Sequence, residues 1–109
     1  MLLFKPVHIA MIQAGMKKET RRIWEKPRAK VGSIHLIKTK MLSKENFGAV
    51  RVEYRRHEQL LNITEEGAWW EGHYTRDEYL KLWKEINPKS PENPWVWVVG
   101  FTYLVKGEK

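Results

Sequence analysis

Short apolar runs separated by charged stretches set the frame of this chain. Leu2-Leu3-Phe4 reads as a short strand, and Pro6 suits the first turn of a helix. In that helix Val7, Met11 and Ala14 fall on one row with Ile9 and Ile12 beside it, and Gly15 supplies a stop. Thr20 to Trp24 is expected to be extended and to lead into a basic loop around Pro27. Ile34 to Thr39 reads as a strand entered through Gly32. Between Ala49 and Arg56 the pattern alternates, with Val50, Val52 and Tyr54 on one side and Arg51, Glu53 and Arg55 on the other. Thr64-Glu65-Glu66 looks like a helix N-cap followed by first-turn acids, and Thr75 to Glu78 is a capping-box pattern. Tyr79, Leu82, Trp83 and Ile86 then form an apolar stripe. After a loop marked by Pro88, Pro91 and Pro94, Trp95 to Val105 is a strand apolar on both faces, which predicts cover on both sides. The sum is an α+β domain with a curved or closed sheet of about five strands and helices at its edge.

The length of 109 residues fits one domain spanning 1–109. With no cysteine, disulfides and Cys-based zinc sites are excluded. The four histidines, His8, His35, His57 and His73, lack metal-ligand spacing, so neither a metal nor a cofactor is expected. No run is long and apolar enough to span a membrane, and a cytoplasmic protein is the expectation. The apolar carboxy-terminal strand leaves monomer and homodimer both open. Charge adds more. The net value is +7, and residues 1–56 carry +10 against −3 for the remainder. That asymmetry predicts one basic face suited to RNA or a nucleotide, although Lys- and Glu-rich surfaces also arise as solvated ion-pair networks.

The basic half concentrates at Lys17-Lys18-Glu19-Thr20-Arg21-Arg22, four cations with a hydroxyl and a carboxylate close behind Gly15. Burying such a run unpaired would cost several kcal/mol per ion, so it is expected to form a solvent-open rim around an anionic ligand. Gly15-x-Lys17-x-x-Thr20-x-Arg22 after a short N-terminal helix is similar to the ASCH domain, a member of the PUA-like β-barrel group. Gly32 before a strand, Glu71-Gly72 between two helices and a closing strand at 95–105 follow in the same order.

The resemblance implies a PUA-like β-barrel of about five strands with flanking helices, whose cleft binds RNA or a modified nucleoside. Some similar proteins hydrolyse N4-acetylcytidine, and the positions matching their catalytic set are Lys17, Thr20 and Glu71. Lys18 stands where those hydrolases usually carry threonine, making this cleft more cationic.

Chemically, Thr20 needs a base to become a nucleophile, and crowding by Lys18, Arg21 and Arg22 would favour a neutral Lys17 amine. Glu71 would orient the lysine or the attacking water. Lys18, Arg21 and Arg22 are candidate ligand contacts, Arg22 through its planar fork. Trp24, Trp69 and Trp70 are candidates for stacking on a base, since adjacent tryptophans cannot share one core row. On a regular strand positions 17 and 20 point to opposite faces, so Lys17 and Thr20 meet only if residues 15–19 turn before the strand begins. Two functions follow as expectations: a module binding RNA or a modified nucleoside, and a small amidohydrolase acting on N4-acetylcytidine-type substrates.

Overall fold

A computed structural model describes residues 1–105. Its elements run β1 (Leu2–Leu3), α1 (Pro6–Gln13), β2 (Glu19–Arg22), β3 (Ile34–Lys38), β4 (Ala49–Gln59), α2 (Glu65–Gly72), α3 (Arg76–Ile86) and β5 (Trp95–Leu104). The local signals act where the pattern put them. Thr64 Oγ1 accepts from Gly67 N to open α2, and Thr75 with Glu78 completes a reciprocal capping box on α3. Helix α1 starts at Pro6, whose missing N–H costs nothing there, and Gly15 follows its end at φ +77°. Its buried row differs from the expected one: Ile9 and Ile12 enter the core, whereas Val7 is 55% exposed and Ala14 faces solvent.

The five strands form one sheet in the order β1-β3-β4-β5-β2, antiparallel except for the β1–β3 pair. The expected closed barrel is not formed. Its edges are the two-residue β1 and the four-residue β2, too short to zip together along a ladder. In place of a ladder, Arg22 Nη2 of β2 donates to the Leu3 carbonyl of β1 at 2.6 Å. One guanidinium therefore spans the seam where a barrel would have closed.

A bulge sets the phase of the long β4–β5 ribbon. Val52 pairs with Phe101 but Tyr54 pairs with Gly100, leaving Glu53 as the extra residue. Before the bulge Val50 and Val52 face the α1 side of the sheet; after it Arg55 and His57 do, and Tyr54 turns to the opposite side. This corrects the expected grouping of Tyr54 with Val50 and Val52. The α1 side holds a core of Ile9, Ile12, Ile37, Val50 and Phe101. The other side packs Val96 and Val98 under α2 and α3 through Ala68, Tyr79 and Trp83. β5 is thus covered on both faces along its middle, as its sequence requires.

Candidate functional site

The site grows from the turn after α1. Met16 N and Lys17 N both donate to the Met11 carbonyl, at 2.8 and 3.2 Å, so the chain folds back before β2 begins at Glu19. Lys17 is therefore free of the strand's alternation, the condition under which it and Thr20 can meet. Within β2, Glu19 and Arg21 face α2 and α3, while Thr20 and Arg22 face the α1 side.

Helix α2 brings Glu71 to this turn. Lys18 N donates to the Trp70 carbonyl at 2.7 Å, and Lys17 Nζ donates to the Glu71 carbonyl at 2.9 Å. Two carbonyls of the last helical turn, which lack intrahelical partners, are satisfied from the segment leading into β2. Lys17 Nζ also donates to Glu71 Oε1 at 2.7 Å and to the Glu19 carbonyl at 2.9 Å. Its three protons thus meet three acceptors.

Glu71 Oε2 accepts from Arg21 Nη1 at 2.9 Å, and the same nitrogen reaches Glu19 Oε1 at 3.1 Å. Arg21 Nη2 reaches Glu58 at 3.4 Å. The Tyr54 hydroxyl, turned to this side by the bulge, donates to Glu19 Oε2.

The run is consequently not a solvated rim. Lys17, Glu19, Thr20, Arg21 and Glu71 are all buried, Glu71 to 2% exposure. The fold meets the desolvation cost by carrying Glu71 and Glu58 to cations that the sequence leaves unpaired. Burial lowers the Lys17 pKa against the opposing charge of Glu71. For Arg21, burial works against the charge, but Glu71 and Glu19 outweigh it and the pKa rises. Lys18 alone of the cations in the run is exposed, with its ammonium 4.7 Å from the Trp70 ring centre.

Beside this network, at the open edge of β2, lies a cavity of about 220 Å³ bounded by α1 and α3. Lys17, Thr20, Arg21, Arg22 and Glu71 line it, together with Phe4, Lys5, His8, Tyr79 and Trp83. Arg22 Nε donates to Thr20 Oγ1 at 3.1 Å, and its guanidinium carbon stands 4.8 Å from the Phe4 ring centre. Among the described residues Arg22 has no carboxylate partner. Burial lowers its pKa from the ordinary arginine value, with Glu71 opposing. Among the described residues Arg21 Nε and Trp83 Nε1 are buried donors without an acceptor, and both residues line the cavity.

The remaining candidates lie elsewhere. Lys18 is outside this cavity. Trp24 is half-buried against the core and accepts a bond from Trp97 Nε1 at its carbonyl. Trp69, 47% exposed, stacks on His73 at 3.9 Å. Trp70 borders a separate hollow with Glu19, Tyr54 and Arg56.

Sequence reasoning missed several residues that line the cavity, Phe4, Lys5 and Trp83 among them, and two of these carry titratable groups of note, His8 and Tyr79. Burial, reinforced by the Lys17 charge, lowers the His8 pKa to about 4, leaving a neutral imidazole at the cavity. The Tyr79 hydroxyl keeps its proton because burial and then the Glu71 charge raise its pKa well above the usual value. Tyr79 lies on the predicted apolar stripe, so its phenol gave no separate signal; His8 sits on α1 without a motif.

No protein-family model matches the sequence, and no curated protein does. The structure is similar to the ASCH domain of Lactobacillus crispatus JV V101, with a TM-score of 0.69 at 15% identity, over 89% of this chain and 70% of that one. It is also similar to a DUF984 protein of Enterococcus faecalis V583, with a TM-score of 0.67 at 17% identity, over 91% and 71% of the two chains. The fold is that of an ASCH-type small domain. No helix among the described residues is long and apolar enough to cross a membrane.

Proposed function

We propose that this domain binds a nucleoside or nucleotide, free or as one unit of an RNA chain, in the cavity at the edge of β2. The observation that carries this reading is Arg22, a largely desolvated guanidinium with a neutral neighbour at Thr20 and no anion of its own among the described residues. A phosphate or a base carbonyl would complete it. Phe4, Tyr79 and Trp83 supply ring surface, and the free donors of Arg21 and Trp83 ask for acceptor atoms. At about 220 Å³ the cavity is smaller than the roughly 300–1,000 Å³ of drug-sized sites, so one nucleoside fits better than a stretch of chain. Calorimetric titration with nucleosides, nucleotides and single-stranded RNA tests the proposal. Arg22→Ala should weaken binding by about ten-fold or more, the scale of a lost charged hydrogen bond. Lys18→Ala should act less, and only through its salt-dependent charge. Absence of binding to every one of these ligands would remove the reading.

A second reading is hydrolysis of N4-acetylcytidine, supported by Lys17, Thr20 and Glu71 lining one cavity. Lys17 would pass a proton to Glu71 across 2.7 Å, take the proton of Thr20 Oγ1 as that oxygen attacks the acyl carbon, and return it to the departing amine. Water would then cleave the acyl-threonine. It ranks second because all three Lys17 protons already have acceptors, which favours the ammonium that cannot serve as base. Release of cytidine by the protein, abolished in Thr20→Ala, would establish it; full activity in that variant would end the nucleophile assignment.

A further inference from the structure

The far end of the β4–β5 ribbon carries a second feature that the cavity does not use. Arg55 and His57 of β4 and Trp95 and Trp97 of β5 share one face of the sheet. They interleave into a ladder that crosses between the strands. The Arg55 guanidinium lies 5.3 Å from the Trp97 ring centre. Trp97 and His57 stack at 4.3 Å with planes 7° apart, and His57 meets Trp95 at 5.1 Å. Core packing does not explain this arrangement, because His57 is exposed and Trp95 is 57% exposed.

Cations accompany the rings. The loop from Trp24 to Ala29 is tied to this face at both ends, Trp97 Nε1 donating to the Trp24 carbonyl at 3.2 Å and Arg55 Nη1 to the Ala29 carbonyl at 3.3 Å. Between those anchors it holds Lys26 and Arg28, both exposed. Among the described residues no carboxylate lies within ion-pair distance of Arg55, Lys26 or Arg28. Pre-stacked rings with unpaired cations alongside match what a single-stranded nucleic acid presents, flat bases on one side and phosphates on the other.

We infer that this ladder is a stacking platform for single-stranded RNA, with a base on the open face of Trp95 and the adjoining phosphates held by Arg55, Lys26 and Arg28. RNA is favoured over DNA because Gln59, in register with Trp95, brings an amide able both to donate to and to accept from a 2′-hydroxyl. The platform does not depend on the cavity reading. It would serve as an RNA contact even if the cavity held nothing.

The test is fluorescence anisotropy with a short labelled single-stranded RNA at low and moderate salt, with thermal melts to verify folding. Trp95→Ala should weaken RNA binding by about ten-fold, within the range for one stacked base, while Trp95→Phe retains most of the affinity. Arg55→Ala should weaken binding and flatten its salt dependence. Trp95→Ala should leave the titration with a single nucleoside unchanged, which separates this surface from the cavity. RNA affinity unaltered in Trp95→Ala, or a tighter complex with duplex RNA than with the single strand, would overturn the platform. Equal affinity for the DNA of the same sequence would overturn the assignment to RNA.

Discussion

Glu71→Gln is the most informative change to the buried network, because it alters charge with almost no change in shape. Both carboxylate oxygens are engaged, Oε1 by Lys17 at 2.7 Å and Oε2 by Arg21 at 2.9 Å. An amide has one acceptor oxygen and one donor nitrogen. Whichever way the new amide turns, one of the two cations faces a donor, and both lose their shared counter-charge.

Breaking a buried ion pair costs about 3–5 kcal/mol, since the partner is left charged and dry. Arg21 keeps Glu19 at 3.1 Å and Glu58 at 3.4 Å, and Lys17 keeps two carbonyl acceptors. Those remaining contacts place the loss at the lower end, about 3 kcal/mol. At roughly 4–8 °C per kcal/mol for a domain near this size, Tm should fall by about 12–24 °C. Urea unfolding with an unchanged m-value would measure the free energy directly. Lys17→Met alone should also destabilise, whereas Lys17→Met combined with Glu71→Gln should cost about 2 kcal/mol less than the sum of the two single changes. A Glu71→Gln loss below about 1 kcal/mol, or strict additivity in the double variant, would refute the account of this network.

Two further outcomes follow from neighbouring contacts. His8 is neutral in the fold, with its pKa lowered to about 4 against 6.5 in the unfolded chain, so unfolding takes up a proton between those values. Stability should therefore decline as pH falls from about 6.5 towards 4 and level off below, by about 1 kcal/mol once solvent screening at this partly exposed ring is allowed for. Urea melts at neutral pH and near pH 4.5 should show the decline in the wild type and a smaller one in His8→Asn. At Gly100, an added Cβ would overlap the atoms of the Tyr54 ring. Gly100→Ala should cost about 1–3 kcal/mol by overpacking, and the same change should cost little in a chain that already carries Tyr54→Ala. A full loss that persists without the tyrosine ring would show that the backbone, not Tyr54, is the obstacle.

What the sequence made legible was what short-range chemistry decides. The capping box at Thr75, the N-cap at Thr64, the stop at Gly15 and the doubly apolar β5 each depend on residues a few positions apart, and each forms as read. The phase of β4 was not legible, because a bulge shows only once the partner strand fixes the register, and one extra residue at Glu53 moves Tyr54 across the sheet. Barrel closure failed for a related reason: strand lengths at the two edges are settled by pairing, not by local pattern.

The charged run exposes the same limit most sharply. Read alone, Lys17 and Arg21 belong in solvent, since burying either unpaired is prohibitive. Their burial becomes possible only when a helix some fifty residues later delivers Glu71 and β4 delivers Glu58. Once those carboxylates have neutralised Lys17 and Arg21, the cations left facing the cavity without an anion among the described residues are the exposed Lys5 and the largely buried Arg22, the residue that also spans the open seam to Leu3. Seam and site therefore coincide at one side chain. Thr20 and Leu3 engage Nε and Nη2, so a ligand anion would be met by the remaining N–H groups of a guanidinium that the seam already orients, and loosening the approach of the two sheet edges should weaken binding.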